Sequence, residues 1–305
     1  MRYLVQRLAW SLPLLWGVLT LVFFLIHLIP GDPVDMMLGE QAVTADREQL
    51  RASLGLDQPI GTQYGQFMLR TVRGDLGASF RYRRPVLELI AERLPATVEL
   101  MLGAMAIALL TALPLGMIAA LHAGRWPDTV AGVFSVLGVA TPNFWLGPLL
   151  ILLFSIQLDW LPVSERGTLG HLVLPALTLG TALAALLARM TRSALVDVLG
   201  EDYIRTARAK GLGRRTVVAV HAMRNALIPV LTVVGLQIGV LLSGAIITES
   251  IFDWPGLGTL LLEAIFNRDY PLMQGCILVI ALGYLAVNLL TDLAYGWADP
   301  RIRTP

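Results

Sequence analysis

The sequence predicts an all-α membrane protein that crosses the bilayer six times. Of its 305 residues, 56% are hydrophobic and only 15% are charged, and the mean hydropathy is +0.68, which is far more apolar than a soluble domain. Six apolar segments reach or approach the roughly 20 residues that a helix needs to cross the hydrocarbon core. These features indicate a polytopic membrane protein.

The six predicted spans differ in length, and the fourth is the shortest. The first follows a basic N-terminus and could be a signal peptide. It is longer than a typical signal-peptide core, however, and ends at Ile29-Pro30-Gly31 without a small-x-small cleavage site, so we interpret it as a retained span. The predicted spans cover residues 8–29, 97–121, 129–155, 169–188, 226–248 and 271–291.

The distribution of basic residues predicts that both termini are cytoplasmic. With the N-terminus inside, the eight basic residues from Arg189 to Arg224 also lie inside, and the two short outside loops carry only Arg166 and Arg268. This is the asymmetry of the positive-inside rule. The predicted domains are a cytoplasmic N-terminus with the first helix (1–29), an external segment (30–96) and a five-helix core (97–305).

The external segment contains turn signals that divide it into short amphipathic helices. We predict helices at residues 45–54 and 64–72, separated by glycine-rich and proline-containing turns. The segment is too short for a catalytic fold. Two interpretations remain open at this point, a cap that shields the ends of the spans and a docking surface for an external partner.

Proline interrupts two of the predicted spans. Thr141-Pro142-Asn143 breaks the third, and Pro229 kinks the start of the fifth. Such breaks are tolerated only where neighbouring protein or a water-filled cavity satisfies the freed backbone groups. Uncharged polar residues inside spans usually tie helices together, but here they are also candidates for lining a pathway. These candidates are Asn143, Gln237, Ser243 and Asn288.

Two further patterns carry structural expectations. Gly235 and Gly239 form a GxxxG motif, which lets helix backbones approach closely. The turn after the fifth span contains Phe252 and Trp254, an aromatic pair suited to the membrane interface or to a re-entrant dip.

The sequence offers no constellation for catalysis. The four histidines are not at metal-ligand spacing, and the single Cys276 excludes a disulfide and a cysteine-based metal site. Lys210 is the only lysine and is followed by Gly211-Leu212, so no P-loop is present. A net charge of +1 gives no case for nucleic acid. We expect a chain that is not an enzyme and binds no cofactor itself.

The longest charged interval between spans begins at Glu201 and predicts a short capped helix. Acidic residues occupy its first turn, basic residues follow, and a glycine ends it, as helix-dipole and capping preferences favour. Tyr203, Ile204 and Ala207 share one face and form a small apolar strip that could lie in a groove of another protein. The charged and terminal residues are Glu201, Asp202, Arg205, Arg208, Lys210 and Gly211.

This interval resembles the cytoplasmic loop of permease subunits from bacterial ABC importers. The matching run is Asp202-Tyr203-Ile204-Arg205-Thr206-Ala207-Arg208-Ala209-Lys210-Gly211-Leu212, followed by Arg224-Asn225-Ala226-Leu227-Ile228-Pro229. It is most similar to the first permease of the dipeptide and oligopeptide branch. Segments 28–33, 54–59, 74–77, 249–258 and 299–303 also fit that branch, so the resemblance covers nearly the whole chain. The general permease pattern ends in Ile-x-Leu-Pro, where this chain has His221-Ala222-Met223-Arg224.

The resemblance implies a type I ABC importer permease fold in the bacterial inner membrane and ATP-driven uptake of di- or oligopeptides. It implies four kinds of partner: a second, paralogous permease, two cytoplasmic ATPases that use ATP and Mg, a periplasmic substrate-binding protein, and the surrounding membrane lipids. The loop 193–225, with its helix at 201–213, would couple to the ATPases. Ala207 and Gly211 would be its close-packing positions, and Arg205, Arg208 and Lys210 its polar rim.

Two alternatives remain. A self-contained secondary transporter or channel would usually show more spans, an internal repeat or charges at mid-membrane depth, and the sequence shows none of these. Within the importer interpretation, the substrate could instead be glutathione, a nickel complex or another small solute.

Overall fold

The computed structural model describes residues 2–28, 48, 51 and 56–298. Over these residues the chain is almost entirely helical, with one antiparallel bridge between Ala78 and Pro85. The predicted helix 45–54, most of the 28–33 motif and the tail 299–303 lie outside the described residues, apart from residues 48 and 51, which are helical.

The described helices follow one another with short connections. Two π-helical segments lie among the α-helices. The segment Ile151–Gln157 extends α5, and the segment Val217–Ala222 joins α8 to α9. The α-helices are α1 Arg2–Leu28, α2 Ile60–Val72, α3 Val86–Leu121, α4 Trp126–Ala140, α5 Asn143–Leu150, α6 Leu169–Leu199, α7 Asp202–Ala209, α8 Arg214–Thr216, α9 Met223–Ile251, α10 Leu257–Phe266 and α11 Tyr270–Ala298.

The predicted all-α membrane fold is confirmed, whereas the count of six spans stays a prediction. Over the described residues, four segments are long and apolar enough to cross a membrane, namely Val86–Leu121, Leu169–Leu199, Arg214–Gly239 and Tyr270–Thr291. The pair α4 and α5 makes a fifth if it is counted as one span, and the chain bends by 104° at the break between the two helices. In α1, Ser11–Phe24 is a shorter apolar helix.

The predicted break in the third span is observed. Thr141 and Pro142 separate α4 from α5, and both have extended backbone. Pro229 lies inside α9.

The chain forms two compact units. The first consists of Met1–Pro95 with Thr259–Leu285, and the second of Ala96–Gly258 with Ala286–Pro305.

The second unit has a core of small and aliphatic side chains. It is built from residues of α3, α6 and α9. Gly235 of the predicted GxxxG motif faces α11, where a Cβ atom would come within 2.8 Å of the Thr291 Cβ. Glycine at this position therefore permits the close approach of the two helices.

The aromatic pair after α9 lies inside the chain, and Trp254 belongs to this core. The predicted placement of the pair at the membrane interface or in a re-entrant dip stays a prediction. Phe252 and Trp254 are both buried, and the Trp254 indole N–H donates to the Ala96 carbonyl at 2.8 Å. Next to them the buried Glu249 carboxylate accepts a hydrogen bond from the Thr97 hydroxyl at 2.6 Å. The Trp254 indole N–H thus has a polar partner inside the protein, as a buried tryptophan usually does.

In the first unit, the segment Gly77 to Val86 turns back on itself and is fastened to the connection between α10 and α11. The Ser79 hydroxyl donates to the buried Asp269 carboxylate at 2.5 Å. The Tyr82 hydroxyl donates to Glu263 at 2.6 Å, and this hydrogen bond raises the pKa of Tyr82. The segment is therefore held in place by acidic side chains of the α10–α11 region.

Candidate functional site

The predicted helix of the loop is observed as α7, and it ends in a Schellman motif. The Gly211 N–H donates to the Arg208 carbonyl at 3.0 Å, and the Leu212 N–H donates to the Ala207 carbonyl at 3.4 Å. Gly211 has a φ of +78°, the left-handed conformation that this motif requires. Glycine at this position is therefore set by the backbone itself, and the predicted stop is in place.

The inner face of α7 packs on its own chain. Ile204 is 0% exposed and Ala207 is buried, so the predicted strip is not free to lie in a groove of another protein. These two side chains complete a core of this chain, and the close packing of Ala207 toward an ATPase stays a prediction. The other buried members of the cluster are Ala120, Ala194, Leu195, Val217, Ala222 and Ala226.

Tyr203 stands at the edge of this packing. Its ring is partly exposed, and its hydroxyl accepts a hydrogen bond from the Asn225 side-chain amide at 2.7 Å. Because Asn225 is in the first turn of α9, this bond fixes the start of α7 to the fifth predicted span.

The outer face of α7 is solvent-exposed and mainly basic. Arg205 pairs with Asp202 at 3.3 Å, but both side chains are largely exposed, and such a pair contributes little. The charges of Arg205, Arg208 and Lys210 are therefore available to a partner. The exposed residues of the predicted coupling loop are Asp202, Tyr203, Arg205, Thr206, Arg208, Ala209, Lys210, Gly211 and Leu212.

An ion pair that the sequence analysis missed braces the helices beneath α7. Arg192 of α6 binds Asp128 of α4 through two hydrogen bonds of 2.5 and 2.7 Å. The Gly124 N–H also donates to Asp128, at 2.9 Å. A bidentate pair fixes geometry as well as charge. The sequence offered one signal for this ion pair, an aspartate in the first turn of the helix that begins at Trp126-Pro127. It could not indicate the partner of Asp128, which lies 64 residues further along the chain.

Arg214 ties the end of the loop to α3. Its guanidinium donates to the Leu121 carbonyl at 3.5 Å. Together with the buried cluster, this contact means that α7 and its flanks are held by α3, α6 and α9 at once.

The predicted pathway residues are dispersed. Asn143 begins α5, Gln237 lies in α9 and Asn288 in α11, and all three are half-buried. The side chain of Ser243 lies outside the described part of the structure. The described hydrogen bonds do not join these residues, and their role in lining a pathway stays a prediction.

The described residues contain no group of three or more histidine, cysteine, aspartate or glutamate side chains that could hold a metal ion. The distinguishing feature of the loop is α7, a short basic helix seated on three long helices.

Comparison with known proteins covers nearly the whole chain. Residues 112–304 match the family described as binding-protein-dependent transport system inner membrane component, and residues 1–101 match the N-terminal region of the same kind of component. The chain is 45% identical over 303 residues to the glutathione transport system permease protein GsiC of Escherichia coli O6:H1, with 99% of each chain covered. It is 44% identical to that of Pectobacterium atrosepticum, with the same coverage.

Solved structures show the same fold at low sequence identity. An inward-facing form of the MetNI methionine ABC transporter superposes with a TM-score of 0.58 at 14% identity, covering 69% of this chain and 96% of that one. An amino acid ABC transporter solved with histidines gives 0.52 at 18% identity, covering 70% and 94%.

Proposed function

The chain belongs to the family of binding-protein-dependent transport system inner membrane components, and from this premise we propose that it forms half of a translocation pathway for glutathione or a closely related small peptide. As a family member it is the permease subunit of an ABC importer and not an enzyme. The family implies ATPase and binding-protein partners. The second half of the pathway would come from a paralogous permease.

The outer face of α7 is the proposed contact with a cytoplasmic ATPase. The observation that carries this is the division of α7 into two faces, with Ile204 and Ala207 buried in the chain and the basic side chains turned outward. A partner that pulls on the outer face moves a helix already packed against α3, α6 and α9. The packed cluster thus transmits ATPase closure to the spans.

We expect α7 and both termini in the cytoplasm, because the basic residues of the sequence follow the positive-inside asymmetry. The family description, a component of binding-protein-dependent transport, supports uptake toward that side. Two ATPase subunits would bind ATP and Mg there, one for each permease. A substrate-loaded binding protein would deliver the solute on the opposite side, and membrane lipids would surround the spans.

The substrate class rests on the curated relatives. Two glutathione permease relatives match at 44 and 45% identity over 99% of both chains, so length and motif order are shared throughout. Dipeptides and oligopeptides, expected from the sequence alone, are the broader class to which a tripeptide thiol belongs. We therefore place glutathione first.

Uptake by the assembled importer tests this function. The two permeases and the ATPases are reconstituted in proteoliposomes with the binding protein, and entry of labelled glutathione is measured with and without ATP. We expect ATP-dependent uptake that excess unlabelled glutathione competes and a dipeptide competes less. Uptake by this chain alone without ATP would contradict the proposal and indicate a secondary transporter or channel.

The coupling surface has a separate test with a matched control. We expect Arg208→Glu with Lys210→Glu to abolish co-purification of the ATPase, because charge on the exposed face is reversed. Arg125→Glu, an exposed arginine outside α7, should retain the ATPase. Retention by the double variant would show that the contact lies elsewhere.

A further inference from the structure

Helix α2 packs against the C-terminal half of α1 through one of its faces. The Tyr64 hydroxyl lies 2.8 Å from the Thr20 hydroxyl oxygen, within hydrogen-bond distance. The Phe23 ring lies against two aromatic rings of α2, with centroid distances of 5.2 Å to Tyr64 and 5.7 Å to Phe67. Met68 and Thr71 fall on the same face as these aromatic residues at helical spacing.

These contacts set the level of α2 along α1. Thr20 precedes the last residue of α1, Leu28, by eight positions, which is about 12 Å at the rise of an α-helix. At the same level, the Gln274 side chain donates to the Val22 carbonyl at 2.8 Å. Leu21 is 69% exposed and Phe24 is also exposed, so α1 still presents apolar side chains outward here. Helix α2 therefore meets α1 about 12 Å before the C-terminal end of α1, at a level where α1 is still apolar.

The rest of α2 is divided into an apolar stripe and a polar stripe. Leu69 and Val72 lie beside the packed face and are 52% and 80% exposed. Thr62, Gln66, Arg70 and Arg73 follow on the next sector of the helix at spacings of three and four residues. Among the described residues, neither arginine forms an ion pair.

We propose that α2 is an interfacial helix that inserts Leu69 and Val72 into the leaflet at the C-terminal end of α1 and binds phospholipid phosphates through Arg70 and Arg73. Amphipathic helices that lie in the membrane plane combine an apolar face with basic residues in this way. The apolar stripe continues the exposed apolar surface of α1, and the guanidinium groups complement anionic phosphate.

A phospholipid fits this surface better than a water-soluble protein. A soluble partner would have to cover Leu69 and Val72 at the level where α1 exposes Leu21 and Phe24 to the bilayer. The sequence left two interpretations of the external segment, a cap and a docking surface. The lipid contact gives α2 a third role, that of a membrane anchor for the first unit. The lipid contact requires only that the chain lies in a membrane, whichever solute it transports.

Spin labels at three single-cysteine positions test the placement of α2 in the full chain in nanodiscs. The native Cys276 is buried, and labelling of the unsubstituted chain gives its background. We expect labels at Leu69→Cys and Val72→Cys to be relaxed more by oxygen than by a water-soluble nickel chelate, and the matched label at Gln66→Cys to show the reverse. Water-like relaxation at both apolar positions would overturn the insertion.

The same labels separate lipid from protein as the occupant. Saturating binding protein should leave their mobility unchanged, because lipid already covers the stripe. Immobilisation of the labels at positions 69 and 72 by the binding protein would overturn the proposal in favour of a docking surface.

The headgroup contact has its own measurement. The retained phosphatidylglycerol is counted by native mass spectrometry for the unsubstituted chain and for Arg70→Gln with Arg73→Gln. We expect lipid affinity to fall by roughly fivefold per arginine, the ratio usual for one basic residue at an anionic surface. The matched control Arg83→Gln, an exposed arginine of the Gly77 to Val86 segment, should show no loss. Equal retention in the double variant would overturn the phosphate contact.

Discussion

Replacing Ile204 by alanine tests the buried face of α7 independently of its exposed face. Ile204 is fully buried and packs in the cluster that joins α7 to α3, α6 and α9. An isoleucine-to-alanine change at a buried site costs about 2–5 kcal/mol. Because α7 is only eight residues long, we expect this loss to appear as local detachment of the helix instead of global unfolding.

The size of the effect can be worked from that cost. Each 1.4 kcal/mol changes an equilibrium tenfold, so the opening of α7 should become about 30-fold to several thousand-fold more populated. Hydrogen exchange measured by mass spectrometry in nanodiscs reports this directly on the amides of residues 206–209. Amides of α6 between residues 178 and 188 should exchange at an unchanged rate.

A matched variant on the opposite face is the control. Arg208→Ala removes an exposed side chain and should change the exchange of α7 by less than about threefold, since exposed substitutions usually stay within 0.5 kcal/mol. It should instead weaken ATPase binding. Unchanged exchange in Ile204→Ala would refute the reasoning that α7 is held to the chain by its buried face.

Three further changes have defined outcomes. Gly211→Ala should reduce the stability of the α7 terminus by about 1–2 kcal/mol, because a left-handed backbone is costly for alanine. The control Gly213→Ala, at a φ of −63°, should leave that stability unchanged. Hydrogen exchange of the α7 amides compares the two variants, and equal effects would contradict this account. Asp128→Ala and Arg192→Ala should show a coupling energy of about 1–3 kcal/mol in a thermal double-mutant cycle in detergent, whereas additivity would mean the pair is not formed. Tyr82→Phe should lower stability at neutral pH by about 1 kcal/mol. The hydrogen bond to a glutamate of α10 raises the folded-state pKa of Tyr82 above its ordinary value of 10.0. This contribution to stability is therefore complete below pH 10 and falls as the pH rises toward the raised pKa. A stability difference between the two proteins that stays constant to pH 11 would contradict the assignment.

Features encoded in consecutive residues were predictable from sequence. The helix α7, its acidic start and its Gly211 stop follow from capping preferences, and the break at Thr141-Pro142 follows from proline. The family, the all-α fold and the importer function were also predicted and are confirmed.

Features that depend on a distant partner were not predictable. The strip of Tyr203, Ile204 and Ala207 was recognised as apolar, but periodicity cannot say whether the chain itself or another protein covers it. Likewise, the turn that contains Trp254 suggested the membrane interface or a re-entrant dip, and local sequence could not indicate the Ala96 carbonyl, 158 residues away, that accepts its indole N–H.

The division of α7 into two faces has a consequence for how such importers diversify. The buried face is constrained by the fold of this chain, whereas the outward face, under the proposed ATPase contact, is constrained only by that partner. Substitutions at the exposed basic positions can therefore change partner compatibility without a folding penalty. A permease built in this way can acquire a different ATPase over evolutionary time through a few surface replacements, while the helices that carry the solute keep their packing.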